Sequence, residues 1–553
     1  MEQASFRGCL VRARVVAAMV AAATLASGAV TGSAGTRSAD VTVLVSEASA
    51  AGHSVEHAVA GLGGQVLHRF SVIDGFAARL PGSAVATLSS VPGVRWVAPD
   101  HSLQMEGQYG QDSGVASAVY TDVTRASKTW GSGVTGAGVT VALIDTGVNT
   151  SGDLAGQVVH AEDFTSEQNN VDSYGHGTFV AGLIDGTGAG SANAIKGVAP
   201  GAKIVSIKIA GGDGTTDVLK VLAALEWIVD YKDVYGIRVV NLSLGFHAGQ
   251  SYLVDPLDFA VERVWSDGVV VVAAAGNGNN VPGSITSPGN DPRIITVGSS
   301  NDHTTVALSD DNLASFSSIG PTADGLTKPE LLAPGRSVIS SRSQGSTVDT
   351  TYPDSEVGAS YARGSGTSFS SAIGAGVAAL VLQRTPLLMP DQVKNRMVAT
   401  ARPIGETTGQ SWWPGEVDAF GATMSLSLSA ANVGVAPASG GGSLQDLRGG
   451  YCLKDTDGTC LSDDAANAAV GFDPVQYFSN TWAGSLWLGS QWLGSLGPTA
   501  PLLGSQWAGS QWAGAQWAGS QWAGSQWAGS QWAGSQWAGS QWMGAPWSSD
   551  RWR

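Results

Sequence analysis

A serine hydroxyl becomes a nucleophile only when a base takes its proton and a third group fixes that base. Ser368 lies in GSGTSFSSAIGAG (364–376), whose four serines give it the composition of a linker. The run that follows, FSSAIGAGVAALVLQR (369–384), is small and apolar nearly throughout. That pattern predicts a helix buried in a core. Its N-terminus falls near Ser368, where unpaired N–H groups and the helix dipole stabilise a developing negative charge. Ser365 comes too early to share that position, and Ser370 and Ser371 fall inside the helix. His176, one of eight histidines, stands between glycines in DSYGHGTFVAGLI (172–184), at the start of a second apolar helical run. Asp145 closes the apolar run GVTVALID (138–145). These three residues have the types that acyl transfer requires: acid, base and nucleophile.

The elements that must position them alternate along the chain. AKIVSIKI (202–209), RVVNLSL (238–244), GVVVVAAAG (268–276) and RIITVGSS (293–300) repeat the pattern of GVTVALID. Continuous Val/Ile runs predict strands buried on both faces, and helical stretches between them, such as 218–231, predict crossovers. The fold class is therefore α/β, a parallel sheet with helices on both faces. In such sheets ligands sit beyond the carboxyl ends of the strands. Asp145, Ser243, Leu244, Gly245 and Asn277 all fall at such ends. Ahead of this region, residues 40–104 read as a small α+β domain of order β-α-β-β-α-β, from VTVLV (41–45) through a last strand starting at Val94.

Five blocks, taken together, carry a resemblance. IDTG (144–147), GHGTFVAG (175–182), AAAGN (273–277), KPELLAPG (328–335) and GTSFSSAIGAGVAAL (366–380) resemble the hallmark blocks of subtilisin-like serine proteases, in the right order between residues 144 and 380. The order Asp145, His176, Ser368 is that of subtilisins. The resemblance implies that Asp145 orients His176, that His176 is general base and then acid, and that Ser368 attacks. It implies that the Asn277 side-chain amide and the Ser368 N–H form the oxyanion hole, and that Ser243, Leu244 and Gly245 pair with the substrate backbone. The substrate would be an extended polypeptide, cut through an acyl-enzyme with no cofactor required. Residues 40–104 resemble the family's inhibitory propeptide, expected to leave by self-cleavage between about Asp100 and Asp112. Phe179, Phe246 and Phe369-Ser370 depart from the family pattern at positions that touch packing or substrate pockets rather than the proton chain. Family members often bind calcium. The loop from Gly186 to Lys196 has Asn193 and little carboxylate, so no metal site is located there, and Asp455-Thr-Asp457-Gly458 reads as a plain turn.

The rest of the chain is organised around residues 121–425, the expected peptidase domain. Residues 1–34 read as an export signal: Arg7, Arg12 and Arg14, an uncharged small-apolar run from Val15 to Val30, then small residues. The run is shorter than the ~20 residues of a membrane span. The expected location is secreted, extracellular or attached to a cell surface. Cys9 leaves with the signal, and Cys452 and Cys460 remain, as one small disulfide loop or as two free thiols. They lie in residues 426–475, a Ser/Ala/Gly-rich linker with a small Cys-containing segment. Residues 476–553 form a tail in which tryptophan recurs every five residues in SQWAG units. Five residues match neither the helical nor the strand period. Exposed tryptophans could stack on cell-surface glycan, enter a membrane interface or self-associate. The alternative is a low-complexity tail without a ligand. A net charge of -16 and a sequence pI near 4.8 argue against nucleic acid as a partner. Two functions thus stand at this point, a secreted endopeptidase made as a zymogen and a surface-binding protein on a protease scaffold.

Overall fold

The computed structural model describes residues 40–48, 53–99, 102–104, 108–109, 117–248, 250–405 and 414–441. The export signal, Cys452, Cys460 and the tryptophan tail lie outside the described residues. Among the described residues no helix is long and apolar enough to cross a membrane.

The N-terminal unit follows the predicted order. Strand β1 (Asp40–Glu47), helix α1 (Ser54–Gly61), β2 (Gln65–Phe70), β3 (Gly75–Pro81), helix α2 (Val85–Ser89) and β4 (Val94–Pro99) build one antiparallel sheet of order β2-β3-β1-β4. Val43, Val45, Phe76, Ala78 and Leu80 from the strands meet Val55, Val59 and Leu88 from the helices in a core of their own. The opposite face packs on the larger domain: Leu44, Phe70, Val72, Ala77 and Ala98 join the main core. Two short strands follow, β5 (Ser102–Gln104) and β6 (Gln108–Tyr109).

The larger domain is built on β7 (Thr140–Asp145), β8 (Val158–Asp163), β9 (Lys203–Lys208), β11 (Ile237–Leu242), β13 (Val270–Ala274), β15 (Ile295–Asn301), β16 (Leu331–Pro334) and β18 (Gly415–Glu416). Short strands β10 (Thr215–Asp217), β12 (Phe246–His247), β14 (Thr286–Ser287) and β17 (Tyr361–Ser365) lie off this path. The main strands run parallel in the order β18-β16-β15-β13-β11-β7-β9-β8. Every residue of β7 and β13 is buried, as continuous apolar runs demand of strands covered on both faces. Helices α3 (His176–Asp185) and α6 (Thr367–Arg384) pack together on one face, α4 (Val218–Tyr235) and α5 (Pro256–Ser266) on the other. Asp217 caps α4 by accepting from the Lys220 N–H at 2.8 Å, and Gly236 at φ 66° ends it. From β7 the chain first builds outward through β9 and β8, then returns to place β11 on the other side of β7. The carboxyl ends of β7 and β11 therefore flank the switch point, where a crevice forms because the connections leave in opposite directions.

Residues 426–441 run along this domain. The Arg396 Nε–H donates to the Ser427 carbonyl at 2.8 Å, the Asn432 side chain donates to Asp391 at 2.7 Å, and the Ala438 N–H donates to Glu262 at 2.9 Å.

Candidate active site

Asp145 ends β7, and His176 opens α3, just beyond the same edge of the sheet. Asp145 Oδ1 lies 2.7 Å from His176 Nδ1 and also accepts from the Thr146 N–H at 2.8 Å. Both side chains are buried, at 1% and 0% exposed. That approach depends on a glycine. A Cβ at Gly177 would stand 2.1 Å from the Gly147 carbonyl oxygen, so any larger residue would push α3 off the end of β7.

The first turn of α3 is held by a second carboxylate. Asp172 Oδ2 accepts from the Thr178 N–H at 2.7 Å, and its Oδ1 accepts from the Gly175 N–H and the Thr146 hydroxyl, each at 2.7 Å. The Gly177 N–H in turn donates to Thr146 Oγ1 at 2.9 Å. Helix-start donors that would otherwise be orphaned are thus tied to the residue next to Asp145. Burial pushes the Asp172 carboxyl above its usual range, against these bonds, which favour its charged form.

Ser368 is the second residue of α6, a helix buried from Thr367 to Leu382. Its hydroxyl donates to the Ser243 carbonyl at 3.1 Å. The Ser243 hydroxyl donates back to the Ser368 carbonyl at 2.9 Å, and it sits 3.1 Å from the Ser371 hydroxyl and accepts from Asn241 at 2.8 Å. Ser243 is fully buried, so its side chain anchors the turn that carries Ser368. Leu244 is also buried, while Gly245 is partly open. The Phe369 ring, next in sequence to Ser368, lies with its centroid 5.7 Å from that of His176 and 4.4 Å from that of Phe179. Phe179 and Phe369, two of the departures from the family pattern, therefore pack on each other beneath the histidine. Asn277 follows β13, and its Oδ1 accepts from the Thr367 N–H at 3.0 Å and the Thr367 hydroxyl at 3.1 Å. Those bonds fix which end of the amide faces the helix and leave the NH2 end turned the other way.

Two more strands border the site. β5 pairs antiparallel with β10, Leu103 opposite Thr216. β6 pairs antiparallel with β17, Gln108 opposite Ser365, three residues before Ser368.

Residues 136–435 match the profile of the subtilase family, and residues 25–100 match that of a peptidase inhibitor domain. The chain belongs to the subtilase family. It is 37% identical to serine protease AprX of Bacillus subtilis (strain 168) over 333 residues, 59% of this chain and 74% of that one. It is 34% identical to subtilisin DY of Bacillus licheniformis over 287 residues, 51% of this chain and 90% of that one. The fold is also similar to that of fervidolysin from Fervidobacterium pennivorans, described as a keratinolytic enzyme related to subtilisin. That match has a TM-score of 0.54 at 24% identity, covering 71% of this chain and 62% of that one. The chain is thus a subtilisin-type serine protease preceded by an inhibitor domain.

Of the residues singled out in the sequence of this subtilase, Asp145 and His176 are in direct contact, Ser243 and Ser368 are bonded to each other, and Asn277 is bonded to the residue before Ser368. Asp172, Thr146, Asn241 and Ser371 were missed. Asp172 had a signal, an acid four residues before the helix start at His176. The calcium that the family implies does not fit the loop from Gly186 to Lys196. Asp153 faces that loop, but its two oxygens accept from the Gly190 N–H at 2.6 Å and the Tyr361 hydroxyl at 2.8 Å. The Lys196 carbonyl accepts from the Tyr120 hydroxyl at 2.7 Å. Protein donors thus already meet both oxygens of the carboxylate that faces the loop. Among the described residues no group of three or more His, Cys, Asp or Glu is placed to hold a metal ion.

Proposed function

We propose that this subtilase is a secreted endopeptidase made as a self-processing zymogen, with Ser368, His176 and Asp145 as its triad. Asp145 accepts from His176 Nδ1–H, which leaves Nε2 as the basic nitrogen. Nε2 takes the Ser368 proton as Oγ bonds to the scissile carbonyl carbon. The oxyanion is met by the Asn277 NH2 and the Ser368 N–H at the start of α6. Nε2 then gives its proton to the amide nitrogen as the C–N bond breaks; water, deprotonated by Nε2, attacks the acyl carbon, and the bond to Ser368 Oγ breaks as Oγ takes the proton back, releasing the acid product. Residues 243–245 hold the substrate backbone by strand addition. No cofactor enters any step.

The observation that carries this reading is the pairing of β5 with β10 and of β6 with β17. The chain leaving the inhibitor domain adds one strand to β10 and another to β17, which ends three residues before the nucleophile, as a substrate would add strands. The inhibitor domain, 40–104, is held to α4 as well: the Ser71 N–H donates to Glu226 at 2.5 Å, and His68 meets the same carboxylate. On this reading the precursor is cut between Gln104 and Gln108, and residues 121–425 form the mature peptidase domain. Residues 1–34 direct export, and Cys452 and Cys460 close a small loop beyond the domain. The tryptophan tail, 476–553, attaches the enzyme to a glycan or membrane surface.

Intact mass and N-terminal sequencing of wild type and Ser368→Ala, both expressed without the signal, test the proposal. Wild type is expected to begin within residues 105–108 and the variant to stay uncut. If both remain full length and neither is labelled by a serine-directed phosphonate, the proposal fails.

A further inference from the structure

The subtilase match ends at residue 435, and residues 435–441 have the composition of a linker. They are nevertheless tied down one after another. The Arg293 guanidinium donates to the Val435 carbonyl at 2.8 Å, and the Tyr252 hydroxyl donates to the Ala436 carbonyl at 3.2 Å. The Ala438 N–H donates to Glu262 at 2.9 Å. The Ser439 N–H and hydroxyl both donate to the Leu253 carbonyl, at 2.8 and 2.7 Å. Gly440, itself buried, then lies against Phe259: a Cβ there would stand 3.0 Å from Phe259 Cγ and 3.1 Å from its Cβ. Phe259 and Glu262 belong to α5, and Tyr252 and Leu253 to the turn ahead of it. The segment is therefore a strap laid across α5 rather than a free linker.

The strap also reaches the inhibitor domain. The Trp96 indole N–H donates to the Gly440 carbonyl at 3.4 Å. Trp96 stands on β4, and both it and Phe259 are partly buried against the main core. Gly440 thus meets a ring of the peptidase domain through its α-carbon and a ring of the inhibitor domain through its carbonyl. The place matters, because β4 ends at Pro99 and the chain enters β5, which pairs with β10, at Ser102. Once the chain is cut between Gln104 and Gln108, nothing covalent keeps the inhibitor domain in place. Its stay then depends on the contacts that survive the cut: His68 and Ser71 on Glu226, β5 on β10, and Trp96 on the strap.

We propose that the strap, residues 435–441, is part of the surface that retains the inhibitor domain after the cut, with Trp96 on Gly440 as its contact. The inference rests on the self-processing reading above. It goes beyond that reading by giving the segment that follows the peptidase domain a part in inhibition. The chain continues from Gly441 into the Cys-containing segment and the tail, so a displacement of the strap from Phe259 loosens the inhibitor domain at β4.

The test follows the full chain, expressed without the signal, over time. Intact mass times the cut, gel filtration times the separation of the cut inhibitor domain, and hydrolysis of a small peptide gives kcat once that domain is gone. Trp96→Phe keeps a ring and removes the donor. Gly440→Val changes no residue of the inhibitor domain. Its φ of 62° and the nearness of Phe259 leave no room for a β-branched side chain, so the strap must lift from α5. Each variant is expected to cut at the wild-type rate and to release the cut domain roughly 2- to 10-fold sooner, the worth of one neutral hydrogen bond. The double variant is expected to release no sooner than the faster single one, because both changes break one contact. Release at the wild-type pace in both variants overturns the role of the strap. So does an additive double variant, which places Trp96 and Gly440 in separate effects. A lowered kcat in Gly440→Val after release overturns it as well, since the strap would then act on the peptidase domain itself. If wild type does not cut itself, the self-processing reading fails on its own, and the same release is read after an added endopeptidase has clipped residues 105–108.

Discussion

Glu416 is fully buried on β18, the edge strand that pairs with β16 through Leu332 opposite Glu416. Burial pushes its carboxyl up from an ordinary 4.5 to about 8. The nearby Asp311 and Asp302 add to the rise, and the opposing pulls of Ser300 and Arg402 are outweighed. The folded protein therefore holds this proton more tightly than the unfolded chain does. Between pH 4.5 and about 8 the unfolded state has lost the proton and the folded state keeps it, so stability falls as pH rises through that window. At about 1.36 kcal/mol per tenfold change, the loss from this one group reaches about 5 kcal/mol at the upper end. Glu416→Gln removes the ionisation and should remove that loss. The assay is urea unfolding followed by circular dichroism, at a series of pH values, with Ser368→Ala in both proteins to prevent self-digestion. The two proteins should be close in stability near pH 4.5, and the glutamine variant should gain steadily above it. Burial also raises Asp255 to about 6 and Asp291 and Asp311 to about 7, so both proteins keep a falling trend. Only the difference between them reports Glu416. Curves that stay parallel from pH 4.5 to 9 would falsify the reasoning.

Two further substitutions probe the site. Asn277→Asp keeps the oxygen that accepts from Thr367 and loses the NH2, so it should fold normally while kcat falls by roughly 10²–10³, a magnitude known from subtilisin itself rather than worked from this geometry. An unchanged kcat in steady-state assays would remove Asn277 from the oxyanion hole. Phe369→Ala deletes a fully buried ring between His176 and Phe179 and should cost about 3–5 kcal/mol in urea unfolding. Its kcat should fall with it, because the histidine loses the surface it rests on. A variant as stable as its parent would show that the ring pair carries no packing energy.

The α/β class was legible because strands covered on both faces must read as apolar runs, and β7 and β13 do so without interruption. Ser368 was separable from its neighbouring serines because only one of them could sit at the start of the buried helix now seen as Thr367–Arg384. The five family blocks carry the order Asp145, His176, Ser368 on which the proposed triad rests. Sequence periodicity could not show the contacts made by residues far apart in the chain. Asp172 stands near His176 in sequence, yet its tie to Thr146 exists only because β7 and α3 end side by side. The Ser243–Ser371–Ser368 bonds depend on β11 meeting α6 at the switch point. Tyr361 takes an oxygen of Asp153 across 208 residues, which no local pattern announces. Gly245 and Gly276 both approach Thr286 so closely that a Cβ on either would stand 2.2 or 2.7 Å from its side chain, a closeness equally absent from any local pattern. The sequence alone determined which residues could react, because nucleophile, base and acid are properties of side chains and their local settings. The tertiary structure decided what holds them, because that depends on distances between strands and helices that only the folded sheet brings together.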